Sequence, residues 1–325
     1  MRWLFALLLV FSSATHAQEP PAWFTESLLD LREDVAEAAA QGKRVMLYFG
    51  QDGCPYCKRL IEVNFRQAAT ARKAQRGLVA LALNIWGDRE ITWTDGSVTT
   101  EKHLAATLKV QFTPTLLFLD ERGGVALRLN GYLPPHHFDL AVDYVAGKME
   151  KRIAFSEFLQ SRVKDAARES LNPQPFFMPA PYDLRRGRGA KPLAVLFETP
   201  SCAQCDELHA VAFKRRDVLE RMANFDVVRF ALSSNEVVTT PAGKTLSAAA
   251  WAGTLRVGYV PTMVLFDARG REVLRTEAYL RPFHVAGALE YVSSGAYRRE
   301  PSFQRFLQGK ADHMRERGER VDLWN

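Results

Sequence analysis

A chain of 325 residues is long enough for two hydrophobic cores of ordinary size, and 47% hydrophobic with 25% charged residues excludes a disordered chain. The net charge of +6 does not make a nucleic-acid binder, because Lys and Arg are scattered among acids; the one basic run, Arg185-Arg186-Gly187-Arg188, has no accompanying aromatics and reads as a solvated linker. All four cysteines fall in two Cys-x-x-Cys pairs, which excludes scattered disulfide staples.

Met1-Arg2, an apolar run from Trp3 to Phe11 and small residues up to Ala17 read as a secretory signal, residues 1–17, cleaved after Ala17. The run is far shorter than the roughly 20 residues of a membrane span, and no later stretch approaches that length. The expected mature protein is therefore soluble and periplasmic, without stable membrane insertion. Val45 to Phe49 has the length of a buried strand, and helical spacing from Cys54 to about Lys73 puts Leu60, Ile61 and Phe65 on one face. Leu78 to Ile85 reads as another strand, Trp86 to Thr100 as a polar loop insertion without assigned function, and Glu101 to Leu108 as a helix. Thr115 to Asp120 and Val125 to Leu129 form a strand pair turned at Arg122-Gly123-Gly124, and Phe138 to Val145 a final helix. This order predicts an α/β fold with a central mixed sheet flanked by helices.

The second half repeats the first at a nearly constant offset. Val45 to Phe49 recurs as Leu193 to Phe197, Cys54-Pro55-Tyr56-Cys57 as Cys202-Ala203-Gln204-Cys205, and Thr113-Pro114-Thr115 as Val260-Pro261-Thr262. Gly131-Tyr132-Leu133 with His137 recurs as Ala278-Tyr279-Leu280 with His284, and Phe155 to Gln160 as Phe303 to Gln308. Two tandem domains are expected, 18–165 and 189–325, joined by a Pro/Arg-rich linker, 166–188, whose prolines favour an extended connector.

A disulfide between residues three apart closes so small a loop that it stabilises little, so the pairs suit redox switching better than stapling. If a helix opens at the first cysteine, its sulfur lies among unpaired N–H groups that favour the reactive thiolate. The second cysteine, one turn on, is placed to attack a mixed disulfide. Cys54 and Cys202 are the expected nucleophiles, Cys57 and Cys205 the resolving thiols. Lys58-Arg59 follow the first pair and Asp206-Glu207 the second, so the first pair is expected to be the more reactive. A shared four-thiolate zinc site would require the domains to dock face to face, because the pairs lie much farther apart than in a zinc ribbon.

The strand, the Cys-x-x-Cys opening a helix, and the later Thr113-Pro114-Thr115 or Val260-Pro261-Thr262 before another apolar strand together resemble the thioredoxin superfamily. The stretch from Phe49 to Lys58 is most similar to periplasmic SoxW-like thioredoxins. The resemblance implies two tandem thioredoxin-like folds in which Pro114 and Pro261 are cis and lie beside the cysteine pairs. Thr113, Pro114, Val260 and Pro261 would then form the loops that pair with a substrate chain. Gly53 and Ser201 stand where that family has tryptophan, and Tyr48 and Leu196 where it has a buried acid. Asp52 and Glu198 are nearby acids, read as an exposed loop carboxylate and a strand-end charge. Tyr132 and Tyr279 read as core residues with a polar tip, and His137 and His284 as helix-start packing or solvent-exposed groups outside the site. The expected protein is an exported thiol–disulfide oxidoreductase that exchanges disulfides with protein substrates. Reduction is the favoured direction, no cofactor is needed, and a membrane-bound redox partner is implied. A non-catalytic adaptor and a thiolate metal carrier are the rival functions.

Overall fold

The apolar strand β1 (Arg44–Gly50) is buried along its whole length, and its alternating side chains feed two separate layers. Val45, Leu47 and Phe49 meet α1 (Leu31–Ala40) on one face of the sheet. Met46 and Tyr48 meet the cysteine-bearing helical segment on the other. The computed structural model describes residues 19–163, 170–321 and 323; the predicted signal at 1–17 and residues 166–169 of the predicted linker lie outside them.

The first sheet runs β2-β1-β5-β6, with β2 (Leu78–Asn84) parallel to β1, and β5 (Thr115–Leu119) and β6 (Val125–Asn130) antiparallel neighbours. The single helix expected from Cys54 onward is three pieces: α2 (Pro55–Arg59), a π-helical turn (Leu60–Phe65) and α3 (Ala68–Gly77). The interruption coincides with Asn64, fully buried, whose Nδ2 donates to the Leu133 carbonyl at 3.0 Å. Leu60, Ile61 and Phe65 are nevertheless all buried together, as their spacing requires. The region read as a loop, Trp86 to Thr100, holds a small hairpin of β3 (Glu90–Thr92) and β4 (Val98–Thr100), anchored by buried Ile91. Three-residue strands are too short to show an alternation. Helices α4 (Glu101–Thr107), α5 (Pro135–Ala146) and α6 (Phe155–Arg162) complete the first domain.

The second domain repeats the plan. After the two-residue strand β7 (Tyr182–Asp183) come β8 (Leu193–Glu198), α7 (Ala203–Ala210), α8 (Arg216–Met222), β9 (Asp226–Ala231) and the β10 (Val237–Thr239) and β11 (Thr245–Ser247) hairpin. Then follow α9 (Ala248–Thr254), β12 (Thr262–Phe266), β13 (Glu272–Glu277), α10 (Pro282–Ser293) and α11 (Phe303–Glu316). Its sheet runs β13-β12-β8-β9, with the same pattern of one parallel and two antiparallel neighbours. The basic run is not simply solvated. Arg186 has a buried side chain paired with Asp226 at 2.7 Å, and β7 pairs with β10, so this stretch lies along the second domain. Packing of the long alkyl stem explains why a charged run need not be a free face.

The cysteine-side layers of both domains merge into one continuous apolar cluster, with Phe112 and Phe303 in contact across the junction at 5.0 Å between ring centres. Edge strands β6 and β13 approach each other there, and Asn130 Nδ2 donates to Glu277 Oε2 at 2.6 Å. Gly131 sits at this approach with φ +94°, and a Cβ on it would come within 3.1 Å of the Glu277 carbonyl. Both the backbone conformation and the space therefore call for glycine.

Candidate active site

In both domains the strand that precedes the motif ends in a short loop, and the first cysteine becomes the N-cap of the next helix. Cys54 Sγ accepts from Cys57 N at 3.1 Å, and Cys202 Sγ accepts from Cys205 N at 3.0 Å. Pro55 occupies the first turn of α2, where its missing N–H costs nothing. Both pairs are disulfide-bonded, with 5.2 Å between Cα atoms in each. Cys54 and Cys202 retain 5% and 7% exposure, whereas Cys57 and Cys205 retain 0% and 2%. The first cysteine of each pair is thus the more exposed of the two.

The Thr113–Pro114 and Val260–Pro261 peptide bonds are cis, as the resemblance implied. Thr113 Oγ1 lies 3.3 Å from Cys54 Sγ, so the cis-proline loop touches the first sulfur. The carbonyls of both prolines are already paired, Pro114 with Gly131 N at 2.7 Å and Pro261 with Ala278 N at 3.0 Å.

Two histidines that the sequence reading left outside the site cross between the domains. Tyr56, the third residue of the first motif, accepts from Arg281 N at 2.8 Å, and its Oη is paired with His284 Nδ1 at 3.3 Å. In the second motif Gln204 accepts from Tyr259 Oη at 2.6 Å, and Tyr259 is paired with His137 Nδ1, also at 2.6 Å. Both histidines do lie in the first turn of a helix, but each packs toward the other domain's cysteine motif. The signal available in the sequence was their recurrence at the same place in both copies. A cleft of about 230 Å³ opens on Cys54 between the domains, walled by Trp86 and Phe112 from the first and by Leu280, Phe283 and Gln304 from the second. Trp86 belongs to the insertion to which no function had been given; its ring carries the Arg305 guanidinium at 5.0 Å.

The neighbouring acids divide. Asp52 is exposed, as a loop carboxylate should be. Glu198 is not a solvated strand end: it is fully buried, with Oε1 2.9 Å from His209 Nε2. His209 stands one helical turn beyond Cys205 on α7, so the pair lies on the resolving-cysteine side of the helix. Asp206 is held by Asn172 at 2.6 Å and Glu207 faces Arg281 at 3.4 Å, so the acids after the second pair are already engaged. In the first domain Tyr48 is buried where the family has an acid, and burial raises its phenol well above the ordinary value.

Burial alone pushes the His284 imidazole down to about 4 from 6.5. The unfolded chain therefore takes up a proton that the folded one refuses between those values, and stability falls as pH drops through that window. The expected loss at this group is up to roughly 3 kcal/mol, seen as a lower denaturant midpoint at pH 4.5 than at pH 7.5. His284→Phe should flatten that part of the slope; an unchanged slope in the variant would remove His284 as its source.

A family model described as a thioredoxin-like domain matches residues 31–146 and again 184–293. No curated protein matches the chain. Among solved structures, the chain is similar to a thioredoxin-fold protein from Helicobacter pylori, at 20% identity over 43% of this chain and 86% of that one, TM-score 0.35. It is also similar to a thioredoxin from Thermus thermophilus, at 27% identity over 37% and 86%, TM-score 0.30. The periplasmic thioredoxin SoxS from Paracoccus pantotrophus aligns at 18% identity over 33% and 99%, TM-score 0.23.

Proposed function

The chain belongs, in both of its halves, to the thioredoxin-like domain family, and from that premise we propose that it is an exported thiol–disulfide oxidoreductase acting on protein thiols and disulfides. The observation that carries this reading is the asymmetric burial of each pair. The first cysteine caps a helix N-terminus beside a cis-proline loop and keeps some exposure, and its partner one turn on is more deeply buried. That arrangement separates a nucleophile from a resolving thiol. Cys54 and Cys202 attack; Cys57 and Cys205 release the product; the loops of Thr113, Pro114, Val260 and Pro261 receive the substrate chain, with Pro114 and Pro261 shaping them. A cysteine 5% exposed in a cleft of about 230 Å³ suits an extended segment better than the flat surface of a folded protein.

Reduction is the favoured direction, with electrons supplied in the periplasm by a membrane-bound partner. Among the described residues no helix is long and apolar enough to cross a membrane. Equilibration of the full chain in graded thiol buffers, with each cysteine peptide quantified after alkylation, tests the reading. The expected result is a Cys54–Cys57 potential near the reducing end of the family range, about −270 mV; a value near −120 mV would reverse the direction. The occlusion of both motifs by the opposite domain favours, as a second reading, a holding module. That reading requires a pair that stays oxidised in every buffer.

A further inference from the structure

We propose that Thr113 is a catalytic hydrogen-bond donor to the Cys54 sulfur, oriented by Gln51 and completed across the domain interface by Gln304. The proposal rests on Cys54 being the attacking thiol and adds the device that activates it.

The direction of each bond follows from groups that can only donate or only accept. The Trp86 indole N–H, a donor without acceptor capacity, points at Gln51 Oε1 at 2.7 Å, which fixes the Gln51 amide. Its Nε2 then uses both hydrogens, one toward Thr113 Oγ1 at 2.9 Å and one toward Gln304 Oε1 at 2.8 Å. Gln304 is fixed in turn because its Nε2 donates to the Gln111 carbonyl at 3.1 Å. The Thr113 hydroxyl, already accepting from Gln51, has its own proton directed at Cys54 Sγ at 3.3 Å. With the Cys57 N–H at 3.1 Å, two donors converge on one sulfur.

Such donors bind a thiolate much more strongly than a thiol or a disulfide sulfur. They act when Cys54 gives its proton to solvent and attacks a substrate disulfide. A Cys54–substrate S–S bond forms, the substrate's own S–S bond breaks, and its second sulfur leaves as a thiolate. Cys57 then displaces the substrate from Cys54, returning the pair to the disulfide while the substrate keeps the two electrons. The second domain lacks this relay. Val260 stands in place of Thr113 and Thr199 in place of Gln51, leaving Cys202 with the Cys205 N–H. The greater reactivity expected of the first pair thus acquires a cause beyond Lys58 and Arg59. The other titratable groups around the cleft are Asp52 on the preceding loop, Tyr56 on α2, His284 on α10 and Arg305 on α11.

The test is the pH dependence of Cys54 alkylation by iodoacetamide in the reduced full-length protein, read peptide by peptide. Thr113→Val should move the Cys54 midpoint upward by about one pH unit, a roughly tenfold loss of rate below it, as removal of one hydrogen bond to a charged group predicts. Thr113→Ser should restore the wild-type midpoint, and Gln304→Leu should move it in the same direction as Thr113→Val by less. The Cys202 midpoint should stay fixed in all three, which serves as the control for folding. A Thr113→Val midpoint equal to wild type, or a Thr113→Ser shift as large as that of Thr113→Val, overturns the donor role; an unmoved Gln304→Leu midpoint overturns the cross-domain limb. Alkylation reads the thiolate and not turnover, so failure of the oxidoreductase reading itself would appear separately, as loss of Cys54 dependence in disulfide exchange.

Discussion

Cys54→Ser combined with Cys202→Ser is expected to lower disulfide exchange by about a thousandfold or more, because both attacking atoms are lost and neither resolving sulfur can take their place; Cys54→Ser alone should leave the slower exchange of Cys202, roughly tenfold below wild type. Cys57 is 0% exposed, sealed beneath the first turn of α2, so a substrate sulfur cannot align with it. Cys57→Ser should behave differently: the first attack proceeds, and the substrate remains trapped on Cys54 as a mixed disulfide. Reduction of an insulin-type disulfide gives the rate, and a non-reducing gel gives the trapped adduct. Cys202→Ser is expected to cost less, since its sulfur lacks the hydroxyl donor of the first site. Wild-type exchange in the Cys54→Ser variant would defeat the assignment of the nucleophile; wild-type exchange in Cys54→Ser with Cys202→Ser together would defeat the enzyme and leave the holding module.

What could be read from the residues was whatever one layer of interaction determines. Val45 to Phe49 is apolar at every position because β1 is central and covered on both faces, and that pattern needs no knowledge of its partners. The duplication could be read because matching strands, motifs and prolines recur in order. The cysteine chemistry could be read because an N-cap and the residue three positions on are local geometry. The break in the first motif's helix could not, since it coincides with the buried Asn64 side chain bonding to the distant Leu133 carbonyl. The hairpin at Glu90 to Thr100 escaped because its strands are shorter than one period of evidence for alternation.

The contacts between domains were the deepest loss. Tyr56 with His284, and Gln204 with Tyr259 and His137, join residues whose proximity depends on how two complete folds dock. Reading each copy by itself placed the histidines far from their own cysteines, which is correct within a domain and irrelevant across the interface. The same holds for Trp86, Gln51 and Gln304: three polar or aromatic residues without a motif become one hydrogen-bonded chain only after docking.

His209→Leu is expected to destabilise the protein by about 3 kcal/mol, because it leaves the buried Glu198 carboxyl without its hydrogen-bond partner. Glu198 has 0% exposure, its Oε1 is bound by His209 Nε2, and Oε2 has no hydrogen-bond partner among the described residues. Gln174 Nε2 lies 3.0 Å from the other ring nitrogen, so the imidazole is positioned from both sides. Without it the carboxyl group is buried with no partner, which opposes folding. Glu198→Leu alone should cost less, about 1–2 kcal/mol, because it strands one ring nitrogen while Gln174 still holds the other. The double variant should recover most of the loss, since two apolar side chains leave nothing unpaired. Denaturant midpoints of the four proteins close the cycle; additive losses would mean that the two groups do not depend on each other. In the double variant, if it is stable, the rate of Cys205 attack on a mixed disulfide at Cys202 then isolates chemistry from folding. A rate equal to wild type assigns the pair to structure, and a slower rate with an altered pH profile assigns it to handling the Cys205 proton.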